Sequence, residues 1–265
     1  MNAVCRRVLA LGLASMLSGG AAAVQLAYEP TALDWTSGEV GRIGAETLQQ
    51  TLAHAARHDR LGCVQHCDRL QRIFDRLVVE ARQQTRRAAL LPWSLTVLHQ
   101  DDSGAFALPD GQVVVSETLI DDRGLSDEAL AFVLAHEMAH SLLEHERQLL
   151  TAGRLLLPRL VERSVPDMYV EFEFNFGLLK TLEPVLHQGE YEADELGLLL
   201  AALAGYAPAR QIEFMQNEVA EDDGRRPLAA THPAATQRLL RLQERLPLAW
   251  RLYEAARRDT AGRRP

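Results

Sequence analysis

Lysine is all but missing from this chain: Lys180 is the only one in 265 residues, and arginine supplies every other side-chain cation. Nothing in the sequence explains that bias. Charge blocks are missing too. The 28 basic and 36 acidic residues leave a net charge of −8 spread along the chain, which argues against a nucleic-acid partner and against polybasic contact with a membrane. Beyond the N-terminal segment no apolar run approaches a transmembrane length. The most apolar stretch, Leu196 to Ala204, is short enough for a buried helix. What remains, 47% hydrophobic and 24% charged, describes one compact globular domain with a substantial core.

Residues 1–23 read as a targeting segment. Arg6 and Arg7 form a basic start, Val8 to Leu17 an apolar run, and Ala21-Ala22-Ala23 a small-residue cleavage site. The run is short for a bilayer span, so cleavage and export to the periplasm are expected, with an uncleaved anchor as the alternative. Cys5 precedes the apolar run and is not placed for lipidation. Export leaves Cys63 and Cys67, an even pair that invites a disulfide in an oxidising compartment. Both are expected on one helix, where a four-residue bridge has awkward geometry. A local disulfide or two free thiols is favoured over a metal site with His66, which lacks two further evident ligands.

The chemistry concentrates at Ala135-His136-Glu137-Met138-Ala139-His140, inside the longest clean helical pattern. Ser126 reads as its N-cap, and Leu130, Val133, Leu134, Met138, Leu142 and Leu149 recur at helical intervals. Four residues apart, His136 and His140 share a helix face and can grip one metal ion, while Glu137 leans toward a water on it. Solvent-facing histidines are the bland alternative, but an apolar helix is a costly place for unpaired imidazoles. A third ligand is needed. Leu143 and Glu146 stand where a metzincin has its Gly and His, and His145 is one place off, on another part of the helix. Glu162 lies near the spacing of a thermolysin-like glutamate but lacks an aspartate four residues on. Between residues 144 and 200 only Glu190 has one, Asp194, whereas Glu192 has Leu196. An aspartate so placed can orient a ligand histidine, so Glu190 is the expected third ligand.

His136-Glu137-Met138-Ala139-His140 followed by Glu190-Tyr191-Glu192-Ala193-Asp194 resembles the zinc metallopeptidase (gluzincin) family of the CAAX prenyl protease, HtpX, mitochondrial Oma and periplasmic BepA. The likeness covers roughly residues 95 to 245. It implies one Zn2+ per chain on His136, His140 and Glu190, with Glu137 as general base and Asp194 behind the ligands. It implies an edge strand above the metal in Val113, Val114 and Val115, pairing with extended substrate. Thr231-His232-Pro233, with Arg238 six residues after the histidine, resembles a downstream motif. That implies His232 as a transient fourth ligand or oxyanion donor, and Arg238 as a residue orienting substrate or loop.

The expected architecture is α+β and mainly helical: a zincin-like peptidase core with a small sheet beside the active-site helix. The divisions are a signal peptide at 1–23, N-terminal helices at 24–94, the peptidase core at 95–250 and a tail at 251–265. Val40, Ile43, Leu48 and Leu52 mark one amphipathic helix, and Leu70, Ile73, Phe74, Leu77 and Val78 a second. Leu95 to Leu98, Phe106 to Leu108 and Val113 to Val115 read as strands around the Pro109-Asp110-Gly111 turn. Phe172, Phe174 and Phe176 are expected in a helical insert, as core. The resemblance implies an endopeptidase acting on extended or misfolded envelope proteins in quality control. An envelope adaptor or membrane-protein partner is left open. A latent or non-catalytic chaperone-like binder using the same groove is the alternative, although a pure binder has no need of Glu137.

Overall fold

The structure, a computed structural model, describes residues 33–157, 162–221 and 233–262. It is mainly helical α+β with one three-stranded sheet. The segment expected to target the chain, residues 1–23, lies outside the described residues.

Helix α1 (Ser37–Arg57) buries Val40, Ile43 and Leu48, and α2 (Cys67–Gln84) buries the whole stripe from Leu70 to Val78. Cys63 and Cys67 are disulfide-bonded, with Cα atoms 5.5 Å apart. They do not share a helix as expected, because α2 starts at Cys67 and Cys63 sits in the turn before it. In that turn the N–H groups of Val64, Gln65 and His66 donate to the Glu117 carboxylate at 2.9, 2.7 and 2.8 Å. The short α3 (Arg86–Leu90) then leads into the sheet.

Strands β1 (Ser94–Leu98), β2 (Ala105–Ala107) and β3 (Gln112–Ser116) are ordered β1-β3-β2. β3 runs parallel to β1 and antiparallel to β2. The expectation that Val113, Val114 and Val115 form a substrate-pairing edge is therefore wrong: they are the middle strand, fully buried and paired on both sides. Three consecutive valines without alternation are what a strand covered on both faces requires. The outer side of β1 is met by a bridge from Leu61 to Leu98 and by Gly62 N–H donating to Val97 C=O at 3.0 Å. β2 ends the sheet.

Helix α4 (Glu117–Arg123) stops at Gly124 in a left-handed conformation, and Ser126 caps α5 (Asp127–Leu143) by accepting from Ala129 N–H at 3.2 Å. α5 is enclosed. Leu130, Leu134, Ala135, Met138 and Ala139 are fully buried, each large apolar side chain contributing about 1.5–3 kcal/mol. The helix does not run on to Leu149 as its apolar pattern suggested. Glu144 takes a left-handed conformation (φ 58°, ψ 36°) and α6 (His145–Leu156) departs in a new direction. A non-glycine residue there costs about 1–2 kcal/mol. The Glu144 carboxylate offsets it by accepting from Ser37 Oγ at 2.5 Å and pairing with Arg87 at 3.2 Å and Arg147 at 3.1 Å.

Helix α7 (Val165–Phe174) and the long α8 (Phe176–Leu203) meet at Asn175, whose side chain caps α8. Phe172 packs among Val40, Leu150 and Met168, but Phe174 and Phe176 are 71% and 80% exposed, against the expectation of core. Gly205 (φ 83°) closes α8 before α9 (Pro208–Glu221). α10 (Ala235–Gly262) continues through Pro247 and does not end in the tail expected from 251. α5, α8, α9 and α10 join around Phe132, Leu198, Ile212, Met215 and Leu242. No helix among the described residues is long and apolar enough to cross a membrane.

Candidate metal centre

Helices α5 and α8 carry the site, and they can do so because they touch. Built on Gly197, a Cβ would lie 2.9 Å from the backbone nitrogen of His136. Glu190, Asp194 and Gly197 follow one another at helical spacing on the α8 face turned to α5. Close approach at Gly197 therefore carries the two carboxylates to the two histidines.

His136 and His140 place their Nε2 atoms 3.1 Å apart. Glu190 reaches them with Oε2 at 3.7 Å and Oε1 at 3.4 Å respectively. Among the described residues these three form a group whose ligand atoms all lie within 4.8 Å of one another and could hold a metal ion. Donors bound tetrahedrally to zinc at ordinary lengths sit about 3.3 Å apart, so two imidazoles and a carboxylate at these separations fit zinc. Glu162 is not part of the group, and neither is Glu192.

Behind the ligands, His136 Nδ1 lies 3.0 Å from Asp194 Oδ1. Asp194 in turn takes a two-pronged contact from Arg238 of α10, Nε to Oδ2 and Nη2 to Oδ1, both 2.7 Å. Arg238 Nη1 also lies 3.5 Å from Glu190 Oε2. Arg238, expected to orient substrate or a loop, directs its guanidinium at the carboxylates that line the metal group.

Electrostatics follow from burial and these pairings. Burial would raise the Glu190 carboxyl, but His140, His136 and Arg238 beside it hold it well below the usual carboxylate range. Asp194 is likewise held low against its own burial, chiefly by Arg238. For His136 burial pushes the imidazole down, yet Asp194, Glu190 and Glu137 together leave it above the ordinary value, the mark of a pocket that favours positive charge. Burial pushes the half-buried Glu137 carboxyl up, partly opposed by His136 and His140.

Sequence reasoning set aside two residues that the structure brings in. His145 Nδ1 lies 2.9 Å from His140 Nδ1, and His145 Nε2 lies 3.3 Å from Glu192 Oε2. The turn at Glu144 does this, by directing the first residue of α6 back toward the last turn of α5. His232, expected at the metal pocket, lies outside the described residues, as does Thr231.

The model of peptidase family M48 matches residues 65–246. The chain is 31% identical over 166 residues to the mitochondrial metalloendopeptidase OMA1 of Schizosaccharomyces pombe, covering 60% of this chain and 48% of that protein. It is 30% identical over 175 residues to the Saccharomyces cerevisiae protein of that name (62% and 50%), and 29% identical over 201 residues to that of Bos taurus (67% and 37%). The chain thus spans half or less of the length of these relatives. Their names correct one expectation. They are mitochondrial proteins, which points away from a periplasmic exported one. The inference had rested on a basic, apolar N-terminal segment, and residues 1–23 contain no Asp or Glu, a pattern that organellar presequences share. The family model extends over α5, α8 and the part of α10 that carries Arg238, more than half of the chain, and on that match the protein belongs to peptidase family M48.

Proposed function

We propose that this protein is a zinc-dependent endopeptidase that hydrolyses internal bonds of extended polypeptides. His136, His140 and Glu190 hold the ion and Glu137 is the general base. One observation carries the reading: the only carboxylate adjacent in sequence to a ligand of the two-histidine, one-glutamate group is Glu137, which stays half-buried and is not tied into the group itself.

Zinc bound by these residues supplies Lewis acidity to the scissile carbonyl and to the attacking water. The other steps belong to the chain. Glu137 accepts the water's proton and passes it to the leaving amine. Burial raises its carboxyl above the ordinary value, which makes it a stronger base than an exposed glutamate. Arg238 and Asp194 keep His136 in one orientation throughout.

Substrate recognition is assigned to β2. It ends the sheet, packs beside α5 and pairs with β3 on one side through Ala105, Phe106 and Ala107. Among the described residues its other edge carries no strand, and a strand edge next to a catalytic helix takes extended chains by main-chain hydrogen bonds and reads side chains loosely. With the periplasmic assignment gone, envelope substrates and their quality control are no longer part of the reading.

Metal depletion and repletion test it. A chelator should abolish cleavage of a permanently unfolded protein, and one equivalent of zinc should restore it. Cleavage that persists in fully metal-free protein contradicts the proposal, and zinc binding with no cleavage of any unfolded chain would favour a peptide binder.

A further inference from the structure

Each candidate ligand histidine has its Nδ1 engaged, but not in the same way. His136 hands its Nδ1–H directly to the Asp194 carboxylate. His140 meets another imidazole, His145, nitrogen to nitrogen at 2.9 Å. Two ring nitrogens can share a hydrogen bond only if one carries the proton and the other offers a lone pair. The far side of His145 decides which. Its Nε2 faces Glu192 Oε2 at 3.3 Å, and a carboxylate only accepts, so the proton of a neutral His145 sits on Nε2. His145 Nδ1 is then the acceptor and His140 Nδ1 the donor. That leaves the lone pair of His140 on Nε2, toward His136 and Glu190.

The rest of the arrangement holds this chain of contacts in place. His145 is nearly buried, and a Cβ on Gly189 would already touch its ring, 3.4 Å from Cγ, so the ring lies flat against α8. Glu192 is fixed by Gln188, whose Nε2 donates to Oε1 at 2.7 Å. His145 is not placed as a ligand, because it faces the Nδ1 side of His140 and not the Nε2 side.

We propose that His145 and Glu192 are positioning residues of the metal centre. They fix the tautomer and ring orientation of His140, as Asp194 and Arg238 do for His136. The inference rests on the reading of His140 as a zinc ligand. It assigns Glu192 a function distinct from that of Glu190, on which the sequence spacing alone cast no light.

The test uses the full chain loaded with zinc, and reads zinc affinity by chelator competition alongside the visible spectrum of the cobalt-substituted protein. His145→Phe keeps a ring but removes the acceptor, and should weaken zinc by about 10- to 100-fold and shift the cobalt bands. His145→Gln offers an acceptor again and should recover most of the loss. Glu192→Met should weaken zinc less than His145→Phe, with the same direction of spectral change. Cleavage should follow with a lower kcat and little change in KM. Wild-type affinity and spectrum in a folded His145→Phe would overturn the proposal. If that variant does not fold, the same result in Glu192→Met, two bonds removed from the ligand, overturns it instead. Failure of the underlying reading looks different: wild-type protein that binds no zinc, or His140→Ala that binds it as tightly as wild type.

Discussion

Gly197 of α8 lies so close to His136 of α5 that a methyl group on it would stand 2.9 Å from the His136 nitrogen and 3.0 Å from its Cα. These are backbone atoms in the middle of a buried helix and cannot step aside. Gly197→Ala should therefore destabilise the protein by about 1–3 kcal/mol through overpacking. Helix propensity alone predicts the opposite sign, a gain of about 1 kcal/mol. Urea unfolding decides between them, and a stabilised variant would show that the helices are not in contact there. Zinc affinity should fall with stability, since Glu190 and Asp194 ride on the same helix.

Arg238 makes a second prediction. Asp194 is 1% exposed and takes both prongs of the guanidinium. Arg238→Ala leaves the buried carboxylate with the His136 Nδ1–H and no guanidinium, and should cost about 3–5 kcal/mol. Arg238→Lys keeps the charge but loses the fork, and should recover only part of that cost. Equal stability of Arg238→Lys and wild type, measured in the same denaturant series, would show that charge alone matters.

Glu144 gives the third prediction, on acid stability. Burial would raise its carboxyl, but Ser37, Arg87 and Arg147 hold it below the usual value of 4.5. The unfolded chain thus takes up the proton first as pH falls. The stabilisation is fully present above about 4.5 and is lost as pH drops through the lower folded value. Glu144→Gln should destabilise the protein at pH 7 by about 1.5–3 kcal/mol, through loss of the charge-assisted contacts to Ser37, Arg87 and Arg147. It should also flatten the acid side of the stability curve. An acid limb identical to wild type would remove Glu144 from the account.

How much of this was legible beforehand depends on how local each determinant is. The spacing of His136 and His140 fixes a shared helix face by geometry, and Glu190 with Asp194 is the same kind of signal. The strand segments were legible for that reason, but their order was not. Val113 to Val115 became the middle strand because β1 pairs with it across a crossover, and no local pattern encodes that partner. The break at Glu144 was hidden for a related reason. The apolar repeat continues through Leu149, and the left-handed turn is held by Ser37 and Arg87, more than fifty residues away in sequence. Missing that turn meant placing His145 on the wrong part of the helix. Phe174 and Phe176 flank the capping residue Asn175, where two helices change direction, so neither belongs to a continuous buried stripe.

The central claim is that Glu137 moves the proton and does not hold the metal. The most direct measurement compares wild type with Glu137→Gln at matched zinc occupancy, following cleavage of one unfolded protein. The account predicts one zinc per chain in both and a cleavage rate lower by about 100- to 10,000-fold in the variant. Cleavage near the wild-type rate at full zinc occupancy, with contaminating proteases excluded, would contradict it.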